Sequence, residues 1–267
     1  MTEPHPLPLR ILVAGASLGH DISEFPQQRE QFIFSRSLEE TLLAHGHAAE
    51  VRNDSIASET AAMAMRRWEP TVKAWGPDVI IVTWGYFETI HAVLPRWMER
   101  YANTLSAHQS TFRRKVVQPL WRQLARFQQV LDRRIGARFF DRKARAVARD
   151  LRYYIDMSRK VGRPLIVLWE FLEPGARGQD WFPGMAARTR VMNAELAALV
   201  DSYDDHVVRL PVAAIAASRT DQEREANPDG FHYSAEVHQL IGEALATMIE
   251  DWSAQYPRLS GRTSVDR

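Results

Sequence analysis

Short apolar runs alternate along this chain with longer stretches whose apolar residues recur every three or four positions. Residues 10–14 (RILVA) form one such run, ending at Gly15, and predict a first strand. Phe32, Leu38, Leu42 and Leu43 fall at roughly helical spacing and predict a helix over 32–44 that stops at His45-Gly46. Residues 48–51 predict a brief second strand. Residues 78–83 (DVIIVT) and 164–169 (PLIVLW) are continuous apolar runs, suited to strands buried on both faces, and 207–210 (VVRL) predicts a fifth strand. Between them, 58–75 reads as a helix disturbed at Pro70, and 185–203 as an amphipathic helix. Ser234 is placed to cap a last helix running to about 252, with Val237, Leu240, Ile241, Leu245, Met248 and Ile249 on one face.

Strands alternating with helices imply an α/β fold, a parallel sheet of about five strands between helical layers. Ligands in such sheets bind beyond the carboxyl ends of the strands, which puts Ser17, Gly85, Glu170 and the loop around Asp229 on one rim. The chain has 267 residues, and 45% of them are hydrophobic, enough for one full core; a single domain over 1–256 is expected, with a disordered polar tail over 257–267. The stretch 89–163 is too long for a simple crossover. Phe127, Val130, Leu131, Ile135 and Phe139 recur at helical spacing, as do Ala144, Val147, Ala148, Leu151 and Ile155. We read an inserted helical hairpin over about 96–160, broken near Pro119 and Gly136, which either folds over the rim as a lid or projects as a docking surface.

Charge sharpens the picture of that insertion. The net charge is +1, yet residues 96–163 hold 18 Lys and Arg against 5 Asp and Glu, a balance of +13 inside a body of −12. A basic segment in an acidic body fits either an anionic partner or a solvated helical face. Trp121, Leu124, Phe127 and Leu131 share a helix face flanked by Arg, a pattern that suits a membrane surface or a partner helix. The chain has no cysteine, and so no disulfide or thiolate chemistry. The N-terminal residues lack a secretory pattern and no apolar run is long enough to span a bilayer, so a soluble cytoplasmic protein is expected. No Gly-rich phosphate loop, metal-ligand spacing or nucleic-acid motif is present, and no cofactor, metal or nucleic-acid partner is expected.

Two distant patterns carry chemistry. Gly15-Ala16-Ser17-Leu18 follows the first strand; Asp229-Gly230-Phe231-His232 precedes the last helix. A serine hydroxyl is a poor nucleophile at neutral pH and needs an adjacent base, itself oriented by a third group. An aspartate three residues before a histidine in a turn can hold one ring nitrogen while the other faces the serine. Each pattern alone is commonplace; together, at opposite ends of an α/β chain, they point to Ser17 as nucleophile, His232 as base and Asp229 as its orienter.

These residues resemble the SGNH/GDSL hydrolases, esterases and lipases of flavodoxin-like three-layer α/β/α fold. The family's first block, Gly-Asp-Ser-Leu, is similar to residues 15–18 here, and its last block to Asp229-Gly230-Phe231-His232-Tyr233-Ser234. The resemblance covers roughly 8–90 and 163–254, including the helix with Asn193, and leaves the basic insertion outside. It implies backbone N–H groups at Ser17 and at a second-block residue, here assigned to Ser55, as oxyanion donors. The third block, usually Gly-x-Asn-Asp, reads Gly85-Tyr86-Phe87-Glu88, so Phe87 stands where an Asn side chain would donate to the oxyanion. Tyr86, Asn53 and Trp84 are candidate replacements; Gly85 joins the oxyanion set, and Tyr86, Phe87 and Glu88 the substrate-binding set.

The expected activity is hydrolysis of an ester or thioester through an acyl-enzyme on Ser17. The alternatives are an acyltransferase using the same site, with an acyl-coenzyme A or carrier-protein donor, and a non-catalytic module that has kept the fold. Coenzyme A, an acidic carrier protein or an anionic lipid would each suit the basic insertion. Other candidates are peripheral: His20-Asp21 just beyond Ser17, Glu88 and Glu170 as paired carboxylates, and His45 with His47 in a solvated turn.

Overall fold

The computed structural model describes residues 8–20, 32–92, 94–98 and 111–256. The 257–267 tail and Asp21 lie outside them. Five parallel strands are the centre of the fold: β1 (Leu9–Ala14), β2 (Ala49–Asn53), β3 (Val79–Val82), β4 (Leu165–Trp169) and β5 (Val207–Leu210). Their order in the sheet is β2-β1-β3-β4-β5. β3 and β4 are buried at every residue, as continuous apolar runs covered on both faces require. The chain leaves β1 toward one edge and returns past it to β3, which makes the carboxyl ends of β1 and β3 the topological switch point of the sheet, where a crevice opens.

Among the described residues the main helices, in chain order, are α1 (Phe34–Ala44), α2 (Tyr86–Ile90), α3 (Gln118–Ile135), α4 (Phe140–Gly162), α5 (Ala176–Trp181), α6 (Met185–Val200), α7 (Val212–Ala217) and α8 (Ala235–Gln255). α1 and α7 pack against α8, while α4 packs against α6, giving the two helical layers. The Phe34 ring lies 4.8 Å from that of Trp169, so α1 closes directly on β4. α8 starts as its sequence predicts, with Ser234 Oγ accepting from the Val237 N–H at 3.3 Å. Among the described residues no helix is long and apolar enough to cross a membrane.

One expected helix is different in kind. Residues 58–75 form a 3₁₀ segment (Ala61–Arg66) and a π segment (Glu69–Lys73) rather than one α-helix. Pro70 supplies no N–H for a regular ladder, and its ring opposes the preceding turn. The insertion is a hairpin of α3 and α4, preceded by a π turn at Arg113–Val117 and broken at Gly136. Pro119 follows closely on that π turn, where the regular ladder is already interrupted. Short α2, α5 and α7 have too few residues to display a period, and the sequence pattern does not announce them.

The two helices of the hairpin face the body differently. α4 buries Phe140, Ala144, Val147, Leu151, Tyr154 and Ile155 in the main core. The residues that α3 buries fully are polar, Gln128 and Asp132. Asp132 and Arg188 of α6 are both inaccessible to solvent and share two hydrogen bonds, at 2.8 and 3.1 Å. Arg188 also donates to the carbonyls of Thr89, Ile90 and Gly136, so each of its five N–H groups has an acceptor. Asp132 accepts in addition from the Gly184 N–H at 2.7 Å. This clamp fixes α3 against the C-terminal end of α2, beside the rim.

Candidate active site

The ladder of β1 continues past its end. Asp54 N–H bonds to Val13, Thr83 N–H to Ala14 and Ile56 N–H to Gly15, so the loops after β2 and β3 are pinned to the segment that carries Ser17. Ser17 opens a single 3₁₀ turn, and its carbonyl accepts from His20 N–H at 2.9 Å. On the other side of the crevice, residues 226–234 form a turn held by Ser234 N–H on Ala226 O and by Gly175 N–H on Gly230 O. Gly230 has φ +94°, and a Cβ there would lie 2.2 Å from the Gly178 nitrogen. Both the left-handed backbone and the close approach exclude a side chain.

The structure brings Ser17, His232 and Asp229 together. His232 Nε2 stands 3.0 Å from Ser17 Oγ, and His232 Nδ1 stands 2.7 Å from Asp229 Oδ2. Asp229 Oδ1 accepts from the backbone N–H groups of Phe231 and His232, each at 2.7 Å. Half-burial pushes the Asp229 carboxyl up, but the bond from His232 and the two backbone donors outweigh it and hold the group below its ordinary value. An ionised Asp229 fixes the ring tautomer: Nδ1–H donates to it, leaving the Nε2 lone pair for the Ser17 hydroxyl.

Ser17 and His232 line a pocket of about 210 Å³ with Ala16, Leu18, Ala57, Ser58, Tyr86, Phe87, Ile90 and Phe231. Apart from Ser17, His232 and Ser58, its walls are apolar, and the Tyr86 hydroxyl is itself inaccessible to solvent. A larger groove of about 910 Å³ between α1 and α8 has polar walls such as Glu40, Glu236 and Glu243 and shares no residue with this one. The Ser17–His232 pair therefore opens on the smaller pocket.

Ser55 requires a correction. Its N–H donates to Asn53 Oδ1 at 3.1 Å, its side chain packs against Gly19, and it lines a separate cavity with His20 and Ser35. The loop residue at the pocket is Ser58, with φ +59°, a left-handed conformation uncommon outside glycine. Among the described residues no acceptor takes the N–H of Ser17 or of Ser58. The loop between β2 and residue 61 has no period by which to count, so the sequence pattern does not distinguish Ser55 from Ser58; the backbone strain does.

The third block is also rearranged from the expectation. Gly85 has φ +123°, and a Cβ there would press on the Phe171 ring at 3.0 Å, so this glycine serves backbone shape and packing. Tyr86 and Phe87 line the pocket, but Glu88 does not. It is almost completely buried beneath the 3₁₀ segment, where its carboxylate accepts from Ala61 N–H at 2.7 Å. Desolvation pushes its carboxyl up. Two proposed replacements for the missing Asn donor are engaged elsewhere: Asn53 Nδ2 on Gly19 O, and Trp84 Nε1 on Glu59. Of the other candidates, His20 lines the neighbouring cavity, Glu170 accepts from Ala213 N–H at 3.4 Å, and His45 lies 2.8 Å from Glu250 on the surface.

No protein-family model and no curated protein matches the sequence. Solved structures do match the fold. A psychrotrophic esterase EstA from Pseudoalteromonas sp., inhibited by monoethylphosphonate, is 14% identical with a TM-score of 0.56, over 92% of this chain and 98% of that one. A carbohydrate acetylesterase family member from Sinorhizobium meliloti is 13% identical with a TM-score of 0.58, over 91% and 98%. A protein described as of the G-D-S-L family from Desulfitobacterium hafniense is 12% identical with a TM-score of 0.55, over 89% and 98%. The chain shares its three-layer α/β/α fold with these structures, at identities that reach no further than the fold.

Proposed function

We propose that this chain is a serine acyl hydrolase acting on a small ester or thioester. The observation that carries the reading is the continuous line Ser17 Oγ, His232 and Asp229, at 3.0 and 2.7 Å. Both separations lie within the ~2.6–3.2 Å reach that proton transfer needs. In the first half-reaction Ser17 Oγ bonds to the acyl carbon while its proton passes to His232 Nε2. The tetrahedral intermediate collapses and the leaving alcohol or thiol takes that proton. Water then repeats the sequence on the acyl-enzyme and frees Ser17. Asp229 stays ionised throughout and stabilises the imidazolium.

The backbone N–H groups of Ser17 and Ser58 are the oxyanion donors in this reading. Ser58 takes the place first given to Ser55, because it lines the pocket and its N–H has no described acceptor. Phe87 contributes no donor. One oxyanion donor is ordinarily worth about 2.7–4 kcal/mol of transition-state stabilisation, so a modest turnover is expected. The pocket of about 210 Å³, walled by Phe87, Ile90 and Phe231, suits a short apolar acyl group.

The test uses p-nitrophenyl esters of increasing chain length together with fluorophosphonate labelling. Turnover favouring short chains is expected, with labelling at Ser17. Ser17→Ala and His232→Ala are each expected to lose about a thousandfold or more. Absence of both turnover and labelling would assign the fold to a binding role instead. Product partition toward an added alcohol or amine would mark acyl transfer.

A further inference from the structure

The outer face of α3 does not belong to the core. Leu120, Phe127 and Val130, at i, i+7 and i+10 on one side of the helix, are 47%, 62% and 82% exposed. Phe112 and Val116, just before it, are exposed as well. The sequence grouped Phe127 with Trp121 and Leu124, but the structure divides them. Trp121 and Leu124 pack inward on Leu94, Met98 and Val117, and Phe127 faces away. Beside the apolar stripe run exposed Arg122, Arg126 and Arg133. The one acidic residue in 111–138 is Asp132, buried and paired with Arg188.

Exposed large apolar side chains in a row, bordered by cations with no exposed anion, match the two layers of an anionic bilayer surface. Acyl chains take the apolar stripe, and lipid phosphates take the guanidinium groups. A second copy fits poorly, since pairing two such faces brings like charges together. An acidic soluble protein would satisfy the arginines but has no general reason to cover Phe127 and Val130. We infer that the outer face of α3 docks on anionic lipid. The inner face of the same helix supports the Ser17 pocket, because Gln128 Nε2 donates to the carbonyl of Ile90, a pocket residue. Docking surface and pocket thus share one wall.

Flotation with vesicles of phosphatidylcholine alone, and of phosphatidylcholine mixed with phosphatidylglycerol, tests the assignment. The full chain is expected to float with the mixed vesicles and to bind neutral ones at least about tenfold more weakly, as loss of several Arg–lipid attractions implies. Phe127→Ser with Val130→Ser, and separately Arg126→Glu with Arg133→Glu, are each expected to weaken flotation by about tenfold or more. Both pairs are solvent-exposed, and unchanged thermal unfolding would show that they leave the fold intact. No preference for the anionic vesicles, or no effect of either pair, would overturn the inference. So would a dimer that the Phe127→Ser variant dissociates, or equal binding to soluble polyglutamate that ignores the Phe127 and Val130 changes.

Discussion

α3 and α4 are adjacent helices of one insertion, with similar composition and similar apolar periodicity, yet they meet the protein in opposite ways. α4 turns its aliphatic stripe inward and its arginines outward, the usual arrangement for a surface helix. α3 turns Gln128 and Asp132 inward and leaves Phe127 and Val130 in solvent. Periodicity announces that a helix has two faces; it does not say which one the body takes. In α3 the inward face mixes Trp121 and Leu124 with Asp132, and the buried cation of Arg188 on α6 is met only when that face points inward. The lesson is that a buried charge can select which of two partly apolar faces a helix turns to the body.

The comparison is most easily broken at that ion pair. Asp132→Ala leaves the Arg188 guanidinium buried and uncompensated, and chemical denaturation is expected to show a loss of about 3–5 kcal/mol. If α3 were held chiefly by apolar contact, as α4 is, the loss would be under half of that. The matching change in α4 is Leu151→Ala, which removes a 1% exposed side chain from the main core. It is expected to cost about 2–5 kcal/mol, read in the same assay, and to leave lipid binding unchanged.

His91 joins the two helices and gives the smallest effect near neutral pH. Its ring lies edge-on to Trp121 of α3 and to Phe182, and its carbonyl accepts from Lys143 of α4. Burial, with Lys143 and Arg188 nearby, lowers its pKa from 6.5 to about 3. The folded form therefore resists a proton that the unfolded chain accepts. Stability is fully present above the unfolded value and falls as pH drops from 6.5 toward 3, by up to about 1.4 kcal/mol per pH unit. Unfolding followed between those limits is expected to show this slope, and His91→Phe to flatten it. An unchanged slope would move the acid sensitivity to other groups.

What was legible in the sequence follows the same division. The five strands could be read because each is an apolar run bounded by turn residues, and Asp229 with His232 because only Gly230 and Phe231 separate them in a turn. Ser17 followed from its place after β1. The proposed second oxyanion donor was not legible: Ser58 takes a left-handed conformation without being glycine, so no residue type marks it. Glu88 was misjudged because a strand-end carboxylate looks alike whether it faces a crevice or the 3₁₀ segment behind it. The orientation of α3 depended on Arg188, 56 residues away from Asp132 in sequence, a distance over which local pattern carries no information.

Arg188 also bears on how such a chain could have been assembled or could be trimmed. Its five donors are shared among α2, the α3–α4 turn and Asp132. Excising the hairpin would remove Asp132 and Gly136 at once and strand a cation against the sheet layer. A shortened version would have to replace Arg188 in the same step. The hairpin is not a detachable ornament on an older body but a co-dependent part of it, and minimal versions of this protein should be designed by substituting position 188 before any residue of the insertion is deleted.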